Sequence, residues 1–428
     1  MNQSLLDTIR NRIPTFPAHE VTRIREGAEQ PAEAGELTAA HVATIWQSVV
    51  DMYAEGLYPA VGFCLRRRGQ VLLDRTIGHV HGVRPNEAPA SDRRLATPDT
   101  LFNLFSASKS VTAMVIHLLD ERGKLHVDDR VTEYLPEFGK HGKDKITIRQ
   151  LLDHTAGIPV VPSDVVDMDV LAKPEVIRQM MCDMPLQRLP GSAIAYHALT
   201  GGFVLNEVVR AITGEDLREV LAREILRPLK FGSMNYGVSP DRIADVARHE
   251  TTGEKPPKPF AYLMKRALGV GYEEAVNLSN DPRFITGVIP SGNVIATSNE
   301  ASRFYQLLLN DGELDGVRIF EPRTIHRATS EQSFGRIDQI MGLPVRYSMG
   351  FMLGSRILNV YGSHTKEAFG HMGFTNVVLW ADRERDISVS LFTSGKPFIT
   401  PGALKWLRVM RVISDTVPRG RVLAGKRP

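Results

Sequence analysis

Cysteine is almost absent from this chain: Cys64 and Cys182 are the only two in 428 residues. That excludes a disulfide framework, and both lie among apolar neighbours, where they read as small buried hydrophobes. No apolar run approaches the ~18 residues that span a bilayer. The start, Met1-Asn2-Gln3-Ser4-Leu5-Leu6-Asp7, has neither the basic segment nor the apolar core of a secretory leader. A cytoplasmic protein without a membrane partner is expected. Charge of one sign is not in excess either, with a formal net charge of +3 and 24% charged against 43% hydrophobic residues. No basic run interleaves with aromatics, so nucleic acid is not an expected partner, and Arg66-Arg67-Arg68 reads as a solvated hairpin end. There is no His-Glu-x-x-His, and His79 and His81 have no third ligand near them in sequence, so no metal is expected. Gly269-Val270-Gly271 lacks the third glycine of a phosphate loop. No serine stands in Gly-x-Ser-x-Gly, which argues against the nucleophile elbow of α/β-hydrolases.

What the chain does have is Ser106-Ala107-Ser108-Lys109, followed by the apolar run Val111-Thr112-Ala113-Met114-Val115-Ile116. A three-residue step on a helix puts the serine hydroxyl and the lysine amine on one face. Serine needs a base to become a nucleophile, and a desolvated lysine can be that base because burial lowers its pKa. On the order of one Ser-x-x-Lys is expected by chance in a chain of this composition, and a second occurs at Ser363-His364-Thr365-Lys366. Only the first opens a helix, predicted from Ser106 to about Arg122, where the serine N–H is free to serve as an oxyanion donor.

Along the chain, residues 1–36 read as a polar N-terminal arm, and residues 37–428 as one catalytic domain. A helix is predicted from Thr38 to Ala54, and a hairpin from Ala60–Arg67 and Gln70–Thr76 around Arg68-Gly69. The middle is mainly helical, with helices from Leu199 to Ile212 and Leu217 to Leu226. Thr297-Ser298-Asn299-Glu300 is a capping-box pattern. Strands Val377–Ala381 and Ile387–Thr393 and a closing helix from Ala403 follow. Strands at both ends give an α+β fold: an antiparallel sheet with helices against it, built from about 37–105 and 290–428, and an inserted helical part at about 106–289. The irregular stretch from Pro256 to Pro290 reads as a wall or lid over a pocket. The cluster Met180-Met181-Met184 reads as packing.

Three separated segments carry a resemblance: the tetrad; Ile146-Thr147-Ile148-Arg149-Gln150-Leu151-Leu152-Asp153-His154-Thr155-Ala156-Gly157; and Phe369-Gly370-His371-Met372-Gly373-Phe374-Thr375-Asn376. Over roughly residues 40–400 the chain resembles the serine β-lactamase and penicillin-recognising superfamily, and within it class C β-lactamases and family VIII carboxylesterases. The resemblance implies Ser106 as nucleophile, Lys109 as base and Tyr196, in Tyr196-His197-Ala198, as a second base. Proximity to Lys109 would lower the phenol pKa. Ala198 replaces an asparagine that β-lactamases use. His371-Met372-Gly373 stands where Lys-Thr-Gly is usual, which makes these three residues the expected substrate-binding edge, with His371 as a hydrogen bonder. Gly373 would let substrate approach the strand closely. The N–H groups of Ser106 and Phe374 would form the oxyanion hole. The expected activity is cleavage of small carboxylic esters, short to medium in acyl chain, without cofactor. β-Lactamase, D-alanyl peptidase and acyltransferase chemistries share the same acyl-enzyme. Acyl and alcohol preference are assigned to residues around 160–190 and 256–290.

Overall fold

A computed structural model describes residues 11–162, 167–258, 261, 262, 265, 268–357, 359–398 and 403–420. Its main sheet contains β1 (Thr22–Ile24), β2 (Ala60–Arg67), β3 (Gln70–His81), β4 (Met352–Leu353), β5 (Ala368–Gly373), β6 (Val377–Asp382) and β7 (Ile387–Thr393). Across the sheet the order is β1-β3-β2-β7-β6-β5-β4, and every one of these pairs is antiparallel. The hairpin turn at Arg68-Gly69 is legible because both residues adopt positive φ. Its second strand runs five residues further than the alternation indicates, to His81.

Both faces of the sheet are covered, and the two-residue period of β6 shows how. Val378 and Trp380 enter a core with α1 (Ala39–Tyr53) and the C-terminal helix Lys405–Thr416, through Ile45, Val49, Trp406 and Met410. Val377, Leu379 and Ala381 face the opposite core, which holds α2 (Ser108–Glu121), α3 (Thr200–Thr213) and α4 (Ser298–Leu309). All twelve residues of α2 from Ser108 to Leu119 are buried, so the helix is enclosed on every side. Two of its polar side chains find partners across the core: Tyr305 Oη donates to Ser110 Oγ at 2.8 Å, and Nε2 of His117 pairs with the Met349 carbonyl at 2.9 Å.

Three local expectations are corrected. The segment from Ser106 does not start α2: Phe105–Ala107 form a 3₁₀ turn and the helix begins at Ser108. The described part of the arm packs on the sheet, where β1 pairs with β3, Arg25 bonds Asp74 and Glu29 pairs with Arg75. The arginine triplet is largely buried: Arg66 donates to Ser302 and Asn299, and Arg67 to the carbonyls of Glu36 and Pro418, leaving Arg68 outside. Thr297 caps α4 by accepting the Glu300 N–H at 3.1 Å, but the Glu300 carboxylate turns away. It accepts the N–H groups of Gly232, Ser233 and Met234 instead, three donors that outbid a single cap.

Candidate active site

Asn103 sets up the nucleophile turn. Its side-chain oxygen accepts the Phe105 N–H at 3.0 Å, and Phe105 takes a left-handed conformation with φ of 46°. Such strain at a non-glycine residue persists only where the surroundings hold it. Here the Phe105 ring is wedged against His249 and Phe374, with centroids 4.8 and 5.6 Å away, and beneath the Lys396 amine at 4.6 Å. The next residue is Ser106, and α2 carries Lys109 back toward it. Lys109 Nζ lies 3.2 Å from Ser106 Oγ, 2.7 Å from the Ala198 carbonyl and 3.1 Å from the Ser291 carbonyl.

Three contacts match three substituents on nitrogen. Burial lowers the Lys109 pKa to about 7, so the neutral amine is accessible. In that form its two N–H bonds satisfy the two carbonyls, and its lone pair is left for the serine hydroxyl. The sequence did not single out Ser291, and it marked Ala198 only for its missing side-chain amide, because both act here through backbone oxygens that any residue type supplies. The 290–294 segment is fixed to α2 by two bonds: Thr112 Oγ1 donates to the Pro290 carbonyl at 2.5 Å, and the Val294 N–H donates to Ser108 Oγ at 2.9 Å.

Tyr196 joins the same cluster. Its phenol is near enough to Ser106 to feel that side chain, and its ring lies 4.9 Å from Lys109 Nζ, 4.7 Å from the His154 ring and 6.3 Å from the His371 ring. The expected fall in its pKa is overturned. Burial pushes the phenol well above its usual value, against the lowering effect of Ser106. A lysine that is itself near neutral supplies little positive charge to offset that desolvation. Tyr196 therefore keeps its proton at neutral pH, and Lys109 is the group poised to accept one.

His371 and Gly373 belong to β5 and Met372 lies between them. The His371 ring is 2% exposed, and its Nδ1 pairs with the Met372 carbonyl at 2.7 Å. Burial, with Lys109 nearby, lowers its pKa to about 3, so it is neutral. Met372 is half-buried and packs on the α1 side of the sheet. At Gly373 the space a side chain would fill is taken by protein: a Cβ would stand 2.2 Å from the Leu104 carbonyl oxygen. That close approach brings Phe374 beside the nucleophile turn. Neither the Ser106 nor the Phe374 N–H has a hydrogen-bond acceptor among the described residues.

A cavity of about 90 Å³ opens at Ser106 and Phe374. Met168, Leu171, Leu268, Val270, Leu278 and Phe284 line it. The stretch from Pro256 to Pro290 supplies part of this wall but is not irregular throughout: Tyr272–Leu278 and Pro282–Thr286 are helices, as is Met168–Leu171. Residues 163–166 and several between 259 and 267 lie outside the described residues. Ser363-His364-Thr365-Lys366, the second Ser-x-x-Lys, forms no such site: Lys366 pairs with its neighbour Glu367. No group of three or more His, Cys, Asp or Glu side chains among the described residues is placed to hold a metal ion. Within the same residues, no helix is long and apolar enough to cross a membrane.

A serine beside a buried lysine, at the junction of an antiparallel sheet and a helical insert, defines the β-lactamase/transpeptidase-like class of serine hydrolases. The chain belongs to the Beta-lactamase family, whose model matches residues 40–412. It is 28% identical over 300 residues to the Esterase/beta-lactamase LipL of Mycobacterium tuberculosis, covering 67% of this chain and 68% of that protein. The fold is that of a penicillin-binding protein homologue from Caulobacter crescentus, with a TM-score of 0.74, 24% identity and coverage of 89% and 98% of the two chains. A family VIII carboxylesterase superimposes with a TM-score of 0.70 at 24% identity, covering 87% of this chain and 98% of its own.

Proposed function

We propose that this protein hydrolyses small carboxylic esters, short to medium in acyl chain, through an acyl-serine intermediate. The observation that carries the reading is the Ser106–Lys109 pair, 3.2 Å apart, at the mouth of an apolar cavity. The neutral Lys109 amine accepts the Ser106 proton as Oγ bonds to the ester carbonyl carbon. The resulting oxyanion is held by the free N–H groups of Ser106 and Phe374. When the carbon–oxygen bond to the alcohol breaks, Tyr196 hands its proton to the departing oxygen and recovers one from the Lys109 ammonium. Water then adds to the acyl-serine, with Lys109 again taking the proton, and the acid leaves as Ser106 is regenerated.

Esters are favoured over β-lactams by two features. A neutral His371 stands where the resemblance places a cation for a substrate carboxylate, and Ala198 offers no side-chain amide. The esterase in the name of LipL and the carboxylesterase among the similar folds point the same way. The test is hydrolysis of p-nitrophenyl acetate, butyrate and octanoate by wild type and Ser106→Ala, beside a chromogenic cephalosporin. Ester turnover that falls by several orders of magnitude in the variant, with little cephalosporin cleavage, supports the reading. Turnover retained by Ser106→Ala overturns it.

A further inference from the structure

Tyr196 sits in a stretch with neither helix nor sheet to hold it, and the structure shows what does. Asp338, from a loop 142 positions away, is fully buried. One carboxylate oxygen accepts the backbone N–H of Tyr196 at 3.2 Å, of Ile340 at 2.8 Å and of Met341 at 3.0 Å. The other accepts the Tyr347 hydroxyl at 2.9 Å. No cation pairs with this carboxylate among the described residues; backbone dipoles and a phenol carry the whole load. The grip continues on the ring side, because the Tyr347 ring meets His154 edge-on at 5.1 Å, and His154 lies 4.7 Å from the Tyr196 ring. One backbone bond, Gln339 N–H to the Ile194 carbonyl at 2.9 Å, ties the loop to the same stretch, and another, Ala195 N–H to the His154 carbonyl at 2.9 Å, ties that stretch to His154.

We infer that Asp338 is a positioning residue, fixing the Tyr196 phenol at Ser106 by holding the tyrosine at its backbone and, through Tyr347 and His154, at its ring. The inference rests on the role proposed above for Tyr196. A simple turn-closing role would need only the Ile340 and Met341 bonds. The bond to Tyr196 and the Tyr347–His154 contact lie outside the turn. Small misplacement of a proton donor costs on the order of 10²-fold in rate, so the link to Tyr196 is measurable.

The experiment is a double-mutant cycle on full-length protein, with p-nitrophenyl butyrate as substrate and active protein counted by fluorophosphonate titration. Asp338→Ala is expected to lower kcat by about 10²-fold, with KM within about 2-fold, because the acyl cavity is built from other segments. Asp338→Asn keeps an acceptor oxygen and is expected to recover most of kcat. In a Tyr196→Phe background, Asp338→Ala is expected to cost less than about 3-fold more. Should Asp338→Ala fail to fold, Tyr347→Phe removes one arm of the grip, and its smaller loss of kcat must likewise vanish in the Tyr196→Phe background. Additive losses in that background, or equal losses for the Asn and Ala variants, overturn the inference and leave the ester reading intact. Full activity of Tyr196→Phe alone removes the role of Tyr196, and the inference falls with it.

Discussion

Gly373 is pressed against the carbonyl of Leu104, so that a Cβ at residue 373 would lie 2.2 Å from that oxygen. The end of β5 and the approach to Ser106 are thereby held backbone to backbone, with no side chain between them. Gly373→Ala is expected to force them apart, since the obstacle is main chain that no rotamer change can clear. A loss of about 1–3 kcal/mol in urea unfolding is expected, with a larger fractional loss of kcat than of KM. An unchanged kcat would show that the spacing between Phe374 and Ser106 does not matter to the reaction.

The buried amine of Lys109 makes a signed prediction. Its folded pKa of about 7 lies below the unfolded value near 10.4. Between those values the unfolded chain binds the extra proton, so this group's contribution to stability rises with pH from about 7 to about 10 and is flat below. Lys109→Met deletes the titration, so its stability relative to wild type should be greatest at pH 6 and fall by a few kcal/mol at most toward pH 10. Urea melts at several pH values measure this. A pH-independent difference would contradict the depressed pKa.

Catalysis reads the same group in the same direction. Ester turnover needs neutral Lys109, so kcat/KM should rise through a single limb centred near pH 7 and not fall again where a phenol of ordinary pKa would ionise. Initial rates between pH 5 and pH 10, on a substrate whose own hydrolysis is subtracted, provide the profile. A descending limb below pH 9 would mean that Tyr196 titrates there.

If esters are the substrates, the cavity at Ser106 should set chain length. Phe284→Ala would enlarge it, and one buried methylene is worth about 1–3 kcal/mol of discrimination. The ratio of octanoate to butyrate turnover is expected to rise by about 10-fold or more, while acetate changes little. Ala275→Phe should narrow the same space and reverse the ratio. No change in either variant would place the acyl chain elsewhere.

Glu300 offers a stability test away from the reaction. Glu300→Ala leaves the N–H groups of Gly232, Ser233 and Met234 without their acceptor, at a cost of about 1–3 kcal/mol. Esterase activity of the folded enzyme should be unchanged.

Glu300 also shows where sequence reading stops. Thr297 and Glu300 have the spacing of a reciprocal cap, and Thr297 does cap; nothing local announces three competing donors from residues 232–234. Ser106 and Lys109 were legible because a three-residue step through the 3₁₀ turn and the start of α2 brings them together, and the strands β6 and β7 because apolar runs flank turn residues 382–386. The long-range contacts were not: Arg66 finds Ser302, Arg25 finds Asp74, and Tyr196 finds Asp338 only after the sheet and the loops have closed. The ionisation of Tyr196 was misjudged because it depends on how much water the fold removes, a quantity that spacing does not carry.

The place of β7 between β2 and β6 governs how the molecule can be made. The central strand is synthesised hundreds of residues after β2, so the helical insert has time to form before the sheet can be completed. Until then β2 and β6 present open, apolar edges suited to pairing with another nascent chain. A chain interrupted before Ile387 is thus left with two such edges and no partner for either.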